Sequence, residues 1–237
     1  MRILLSALFA VLLVSSCSDE PPRQEEPADF SGPVIDVPQE PGTPGNPIID
    51  SNMAAKAAIL TNLPEGCPQE ITSRLTVVTV SYYGFDDKAH QGQIVVDRDL
   101  AADVTRIFEL ILESGFPVHT VLPIAHAEIQ AKAPSGLSPD TDNSSGFAFR
   151  PQAESAKLSM HARGWAVDIN PRLNPYIKGE TMLPPRSAYD PSMPGTLTAD
   201  HPVVLKFKEL GWEWGGDWTS LKDYMHFEKV PPGMTKD

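Results

Sequence analysis

Cysteine is nearly missing from this chain: Cys17 and Cys67 are the only two, so at most one disulfide can form and a bridge-stapled fold is excluded. Basic charge is in deficit as well. The 19 Lys and Arg stand against 31 Asp and Glu, for a formal charge of −12. Residues 18 to 50 hold eight acids against Arg23 alone, and residues 51 to 237 still carry −6. A surface of that sign has no footprint for phosphates, so nucleic acid is excluded as a partner. Past residue 14 no apolar run is long enough to cross a bilayer, and there is no internal repeat. A regular alternation of strand and helix patterns is also lacking, which argues against a doubly wound parallel sheet.

What is present begins with a targeting segment. Arg2 supplies a positive start, and Ile3 to Val14 is an almost unbroken apolar run, too short to span a membrane comfortably. It closes on Leu13-Val14-Ser15-Ser16-Cys17, which resembles a bacterial lipobox. Residues 1–16 are therefore expected to be a lipoprotein signal peptide and Cys17 the lipidated residue that anchors the chain to a membrane. The plainer alternative is an ordinary signal peptide with Cys17 incidental. Ser18 follows the cysteine and acid comes only at Asp19, which by resemblance to enterobacterial sorting favours the outer membrane, facing the periplasm, within the cell envelope. The next stretch is rich in proline, glycine and acid and nearly devoid of aromatics, so it cannot bury enough apolar surface to offset chain entropy. Residues 17–65 are read as lipidated cysteine plus flexible tether, and 66–237 as one domain. With Cys17 carrying lipid, Cys67 has no partner and is read as a small buried apolar residue.

Leu75 to Tyr83 is dense in β-branched and aromatic residues and predicts a strand, with Gln93 to Val96 a second. Asp97 or Asp99 can cap a helix in which Val104, Ile107, Phe108, Ile111 and Leu112 recur at helical spacing until Gly115. Phe116 to Ile124 reads as a strand despite its prolines, and Ala131 to Ser159 as loop. Trp165 to Asn170 alternates, with Trp165, Val167 and Ile169 on one side and Asp168 on the other. Asn170 to Gly195 is irregular. A helix near Asp200, with Pro202 in its first turn, stops at Gly211, and Tyr224 to Val230 predicts a last strand. The fold class expected is α+β, a small and mostly antiparallel sheet with flanking helices.

Three residues stand out as metal ligands: His161, Asp168 and His226. His161 and Asp168 lie seven positions apart, with Gly164 between them where the chain could turn. Two imidazoles and a carboxylate leave a fourth position for water, as a catalytic zinc site needs. Zinc makes such water acidic and polarises a carbonyl, and a second carboxylate must then take the proton. Asp223, three residues before His226, is placed to do so. Composition alone would leave this open, since a histidine is more often a hydrogen-bonded structural residue.

Ser159-x-His161-x-x-Gly164-x-Ala166-x-Asp168, followed by Asp223-x-x-His226, resembles the signature of the M15 metallopeptidases. Further blocks look like the VanY-like branch, among them His90-Gln-Gly-Gln-Ile-Val-Val96, Asp142 to Arg150 and Gly211-Trp-Glu-Trp-Gly-Gly-Asp-Trp218, in order over residues 75 to 230. That family includes D-alanyl-D-alanine carboxypeptidases and L-alanyl-D-glutamate endopeptidases. The resemblance implies a hedgehog/DD-peptidase-like fold, Zn2+ as cofactor, and His161, Asp168 and His226 as its ligands. It implies Asp223 as general base and Arg150 as the group facing the substrate carbonyl oxygen, where a guanidinium would meet developing charge. Ser159 and Asp217 are candidates to orient ligands or merely to cap backbone, and Trp212, Trp214 and Trp218 to wall a cleft or fill the core. The activity implied is zinc-dependent hydrolysis of peptidoglycan stem peptides at D-amino-acid-containing bonds, by water activated at Asp223, in a chain expected to be monomeric. His90, His119, His126 and His201 are read as structural, and Glu228 as a polar strand residue. Two rivals remain: a non-catalytic cell-wall-binding module of the same fold, and a zinc amidase.

Overall fold

The computed structural model describes residues 40–132, 142–152 and 157–236. The expected signal peptide, Cys17 and the tether as far as residue 39 lie outside these, as do 133–141 and 153–156 of the expected loop. In chain order the elements are β1 (Ile48–Ile49), α1 (Ala55–Leu60), α2 (Gln69–Thr72), β2 (Leu75–Tyr83), β3 (Ala89–Asp97), α3 (Ala101–Glu113), β4 (Thr120–Val121), α4 (Ala127–Lys132) and β5 (Asn143–Ser144). Then follow β6 (Ala166–Asp168), β7 (Tyr176–Lys178), β8 (Thr181–Leu183), α5 (Pro202–Glu209), β9 (Glu213–Trp214), β10 (Lys222–Asp223) and β11 (His226–Glu228). The fold is α+β, but its strands form several small sheets where one was expected. The long hairpin β2–β3 carries β1 parallel on its edge, β6–β11–β9 and β10–β7–β8 are antiparallel, and β4 pairs with β5 in parallel. Among the described residues, no helix is long and apolar enough to cross a membrane.

The hairpin β2–β3 organises the core because both of its faces are apolar. Val78, Val80, Tyr82, Ile94 and Val96 join the large cluster, where Val104, Ile107, Phe108 and Ile111 of α3 cover them. Those four recur along α3 at the spacing of one helix face. Leu112 of the same expected set is only half-buried. Asp97 accepts a hydrogen bond from the Asp99 amide at the start of the 3-10 turn that leads into α3. In α5, Val203, Val204 and Phe207 reach the same cluster, and Phe207 stacks on Phe227 of β11 at 3.7 Å. Burying each such aromatic contributes about 1.5–3 kcal/mol.

The second face of the hairpin corrects the tether boundary. Leu75, Val95 and Phe147 there are covered by Ala58, with Met53, Ile59, Leu63, Cys67 and Ile71 packed around them. Residues 40 to 65 thus belong to the folded unit, Gln39–Asp237, and not to the tether. Proline and acid near residue 50 hid a short helix, Ala55–Leu60, that covers a sheet face formed later in the chain. Cys67 lies in this layer but is half-buried, and burial pushes its thiol up. The expected strand from Phe116 to Ile124 is cut to Thr120–Val121. Pro117 and Pro123 have no amide to donate to a ladder.

Candidate metal centre

Three short elements bring the expected ligands together. Ser159 caps a 3-10 turn, Met160–Arg163, by accepting from the His161 amide. Gly164 ends the turn at φ 71°, a left-handed conformation, and passes the chain into β6. The turn is pinned to the end of β3: the Asp97 amide donates to the Gly164 carbonyl at 2.9 Å, and the Trp165 indole donates to the Asp97 carboxylate at 3.3 Å. Asp168 ends β6, and in the antiparallel pairing with β11 it stands directly opposite His226. Directly opposed residues share a sheet face. Val167 and Phe227, opposed one step away, point into the core.

The donor atoms meet closely. His161 Nε2 and Asp168 Oδ1 lie 3.1 Å apart, His226 Nδ1 and Asp168 Oδ1 3.1 Å, and the two imidazole nitrogens 3.2 Å. Four ligands held about 2.0–2.1 Å from a zinc ion in a tetrahedron are separated by about 3.3–3.4 Å. The three donors already stand near that spacing, all three residues are buried, and together they form a group able to hold a metal ion. The other ring nitrogens are occupied. His161 Nδ1 is 2.6 Å from the Gly146 carbonyl, and His226 Nε2 is 3.0 Å from Glu228 Oε2. Burial raises the cost of charge on Asp168, yet His161 and His226 hold its carboxyl well below the usual range. His226 is held up to about 10, because its hydrogen bonds to Asp168 and Glu228 outweigh burial. Metal ligands bind as carboxylate and neutral imidazole, so a cation at this trio would compete with a proton on His226.

Asp223 and Arg150 line the same cavity, which has a volume of about 960 Å3. Each has a buried polar atom with no hydrogen-bond partner among the described residues, Oδ1 of Asp223 and Nε of Arg150. Such orphans are costly to bury and point to groups whose partner arrives with a ligand. Burial pushes Asp223 up to about 7; His226 and Arg150 oppose the shift and the Asp168 carboxylate adds to it. Arg150 is pushed down by burial, against the pull of Asp168 and Asp223.

Residues 153–229 match the M15 peptidase family model described as D-alanyl-D-alanine carboxypeptidase. This segment is similar to the M15 peptidases. Over 29 residues the chain is also 59% identical to the peptidoglycan L-alanyl-D-glutamate endopeptidase CwlK of Bacillus subtilis (strain 168), a stretch making up 12% of this chain and 17% of CwlK. The chain thus matches less than a fifth of that relative's length. No solved structure matches it. The matched segment contains His161, Asp168, Asp223 and His226, while Arg150 and the sequence blocks before residue 153 fall outside it.

The other candidates sort by burial and contact. Ser159 is a cap. Asp217 is half exposed and pairs with Lys208 at 2.7 Å, away from the ligands. Trp212 and Trp214 are core, whereas Trp218 lines the cavity with its ring 5.5 Å from that of His226. The stretch from Lys178 to Thr198 contributes Leu183, Pro184 and Pro185 to the cavity wall. Glu228 is the residue that sequence reasoning missed, although strand alternation puts 226 and 228 on one face. His90 lies between Asp50 and Asp86, His201 caps α5, His126 accepts from the Glu128 amide, and His119 packs by Phe85.

Proposed function

We propose that the chain is a zinc peptidase that hydrolyses peptidoglycan stem peptides at D-amino-acid-containing bonds, of the D-alanyl-D-alanine carboxypeptidase or L-alanyl-D-glutamate endopeptidase type, on a hedgehog/DD-peptidase-like fold. The observation that carries this reading is the near-tetrahedral spacing of three buried donors, with Asp223 Oδ1 and Arg150 Nε in the same cavity, both buried and neither hydrogen-bonded among the described residues. His161, Asp168 and His226 would hold the metal. When bound, zinc supplies Lewis acidity, polarising a carbonyl and making water acidic enough to lose a proton near neutral pH.

The chain's own residues do the rest. Asp223, tuned to about 7, takes a proton from the attacking water as its oxygen bonds to the peptide carbon. Arg150 meets the negative charge that builds on the carbonyl oxygen. The carbon–nitrogen bond then breaks, and Asp223 returns the proton to the leaving amine. A buried carboxylate near 7 is a burden that a purely binding module would have no reason to keep, which favours turnover. We also read Cys17 as lipidated and the residues after it as a tether, holding a monomeric enzyme at the outer membrane within reach of the wall.

The test is incubation of the zinc-loaded full chain with purified muropeptides and identification of products by mass. Loss of one terminal D-alanine marks the carboxypeptidase and a split within the stem the endopeptidase. Intact muropeptides after exhaustive incubation would refute the peptidase reading.

A further inference from the structure

The two histidines of the trio are held in opposite ways. His161 gives Nδ1 to a backbone carbonyl and turns Nε2 to the centre, whereas His226 gives Nε2 to a carboxylate and turns Nδ1 to it. That carboxylate, Glu228, is itself buried, and strand pairing does not require it there. It also stands directly opposite Glu213 in the β11–β9 pairing, a placement that sets like charges against each other. Lys236 resolves the conflict: its Nζ is 2.5 Å from Glu228 Oε1 and 3.5 Å from Glu213 Oε2. The result is a relay of contacts, Lys236 to Glu228 to His226, ending at the nitrogen that faces Asp168 and His161.

From this geometry we infer that Glu228 is a positioning residue that fixes the proton of His226 on Nε2, so that Nδ1 is the metal-binding atom, and that Lys236 is the counter-ion that holds Glu228 in place. The inference rests on the zinc reading above and adds to it a named tautomer and two residues. A carboxylate acceptor locks the ring and makes the imidazole a stronger donor than a carbonyl partner does, and losing such a partner costs about 10–100-fold in metal affinity. A neutral acceptor of the same shape would keep the orientation but lose the added electron donation.

Two measurements on the full chain test this. Zinc affinity is read by competition with a chromophoric chelator for wild type, Glu228→Ala, Glu228→Gln, Lys236→Met and His161→Ala. Imidazole tautomers are read from nitrogen-15 correlation spectra of the zinc-loaded wild type, which needs no variant to fold. The proton of His226 should be on Nε2, with Nδ1 bound. Glu228→Ala should bind zinc about 10–100-fold more weakly, Glu228→Gln should recover part of that loss, and Lys236→Met should lose a few-fold. A proton on Nδ1 of His226, or Glu228→Ala affinity within threefold of wild type while His161→Ala loses zinc, overturns the positioning role and leaves the metal site standing. Failure of wild type to bind zinc overturns both.

Discussion

Asp223→Asn separates what the Asp223 carboxylate does for catalysis from what it costs the fold. In an unfolded chain Asp223 ionises near 3.8, and in the fold burial pushes it up to about 7, opposed by His226 and Arg150 and reinforced by Asp168. The folded value lies above the unfolded one. Between about pH 4 and pH 7 the folded chain therefore keeps a proton that the unfolded chain has released, and stability falls as pH rises through that window. The slope is about 1.4 kcal/mol per pH unit, and the loss reaches about 4 kcal/mol by pH 8. Asparagine has nearly the same shape and no proton to lose. Chelator-treated Asp223→Asn should thus gain on chelator-treated wild type by about 2–3 kcal/mol between pH 5 and pH 8, measured by urea unfolding followed through tryptophan fluorescence. Saturating zinc should shrink the gap, because a cation in the cavity favours the ionised wild-type side chain. The same variant should retain zinc and lose about two to four orders of magnitude in turnover of muropeptides. Parallel pH slopes for the two proteins would refute the burial argument, and undiminished turnover would remove Asp223 from the mechanism.

Arg150→Ala should keep zinc and slow turnover by about 10²–10³-fold at saturating substrate, the scale for a lost oxyanion donor; a change confined to KM would make Arg150 a ground-state binding group. His161→Ala, Asp168→Ala and His226→Ala should each lose stoichiometric zinc by elemental analysis, and full retention in any one would strike that residue from the ligand set. Gly164→Ala should destabilise by about 1–3 kcal/mol in thermal melts, since φ is 71° and an added Cβ would sit 2.7 Å from the Asp97 amide nitrogen; an unchanged melt would refute the tight approach of the turn to β3. Cys17→Ala should move the protein from the membrane to the soluble fraction, and a wild-type mature chain without acyl mass would end the lipobox reading.

Local pattern determined a good part of this molecule. The alternation in Leu75–Tyr83, the helical spacing from Val104 to Ile111, Pro202 at the start of α5 and the glycines that stop helices are all decided by neighbours a few residues away, and the structure places those elements where they were expected. The candidate ligands were legible through the resemblance of Ser159-x-His161-x-x-Gly164-x-Ala166-x-Asp168 and Asp223-x-x-His226 to a known signature, whose first six residues form a local cap and turn. Tertiary structure decided the remainder. That Asp168 opposes His226 is a matter of strand register, a pairing between residues 58 positions apart that spacing does not encode. Residues 53–71 join the fold only because the hairpin formed downstream has a second apolar face to cover, so their composition was a poor guide. Glu228 looked like an ordinary polar strand position until packing closed around it and left the His226 ring as a partner, with Lys236 brought to it from outside the strand. Burial acts in the same way on Asp223: a carboxylate that would ionise near 3.8 in the open chain is raised to about 7 chiefly by the water that folding removes.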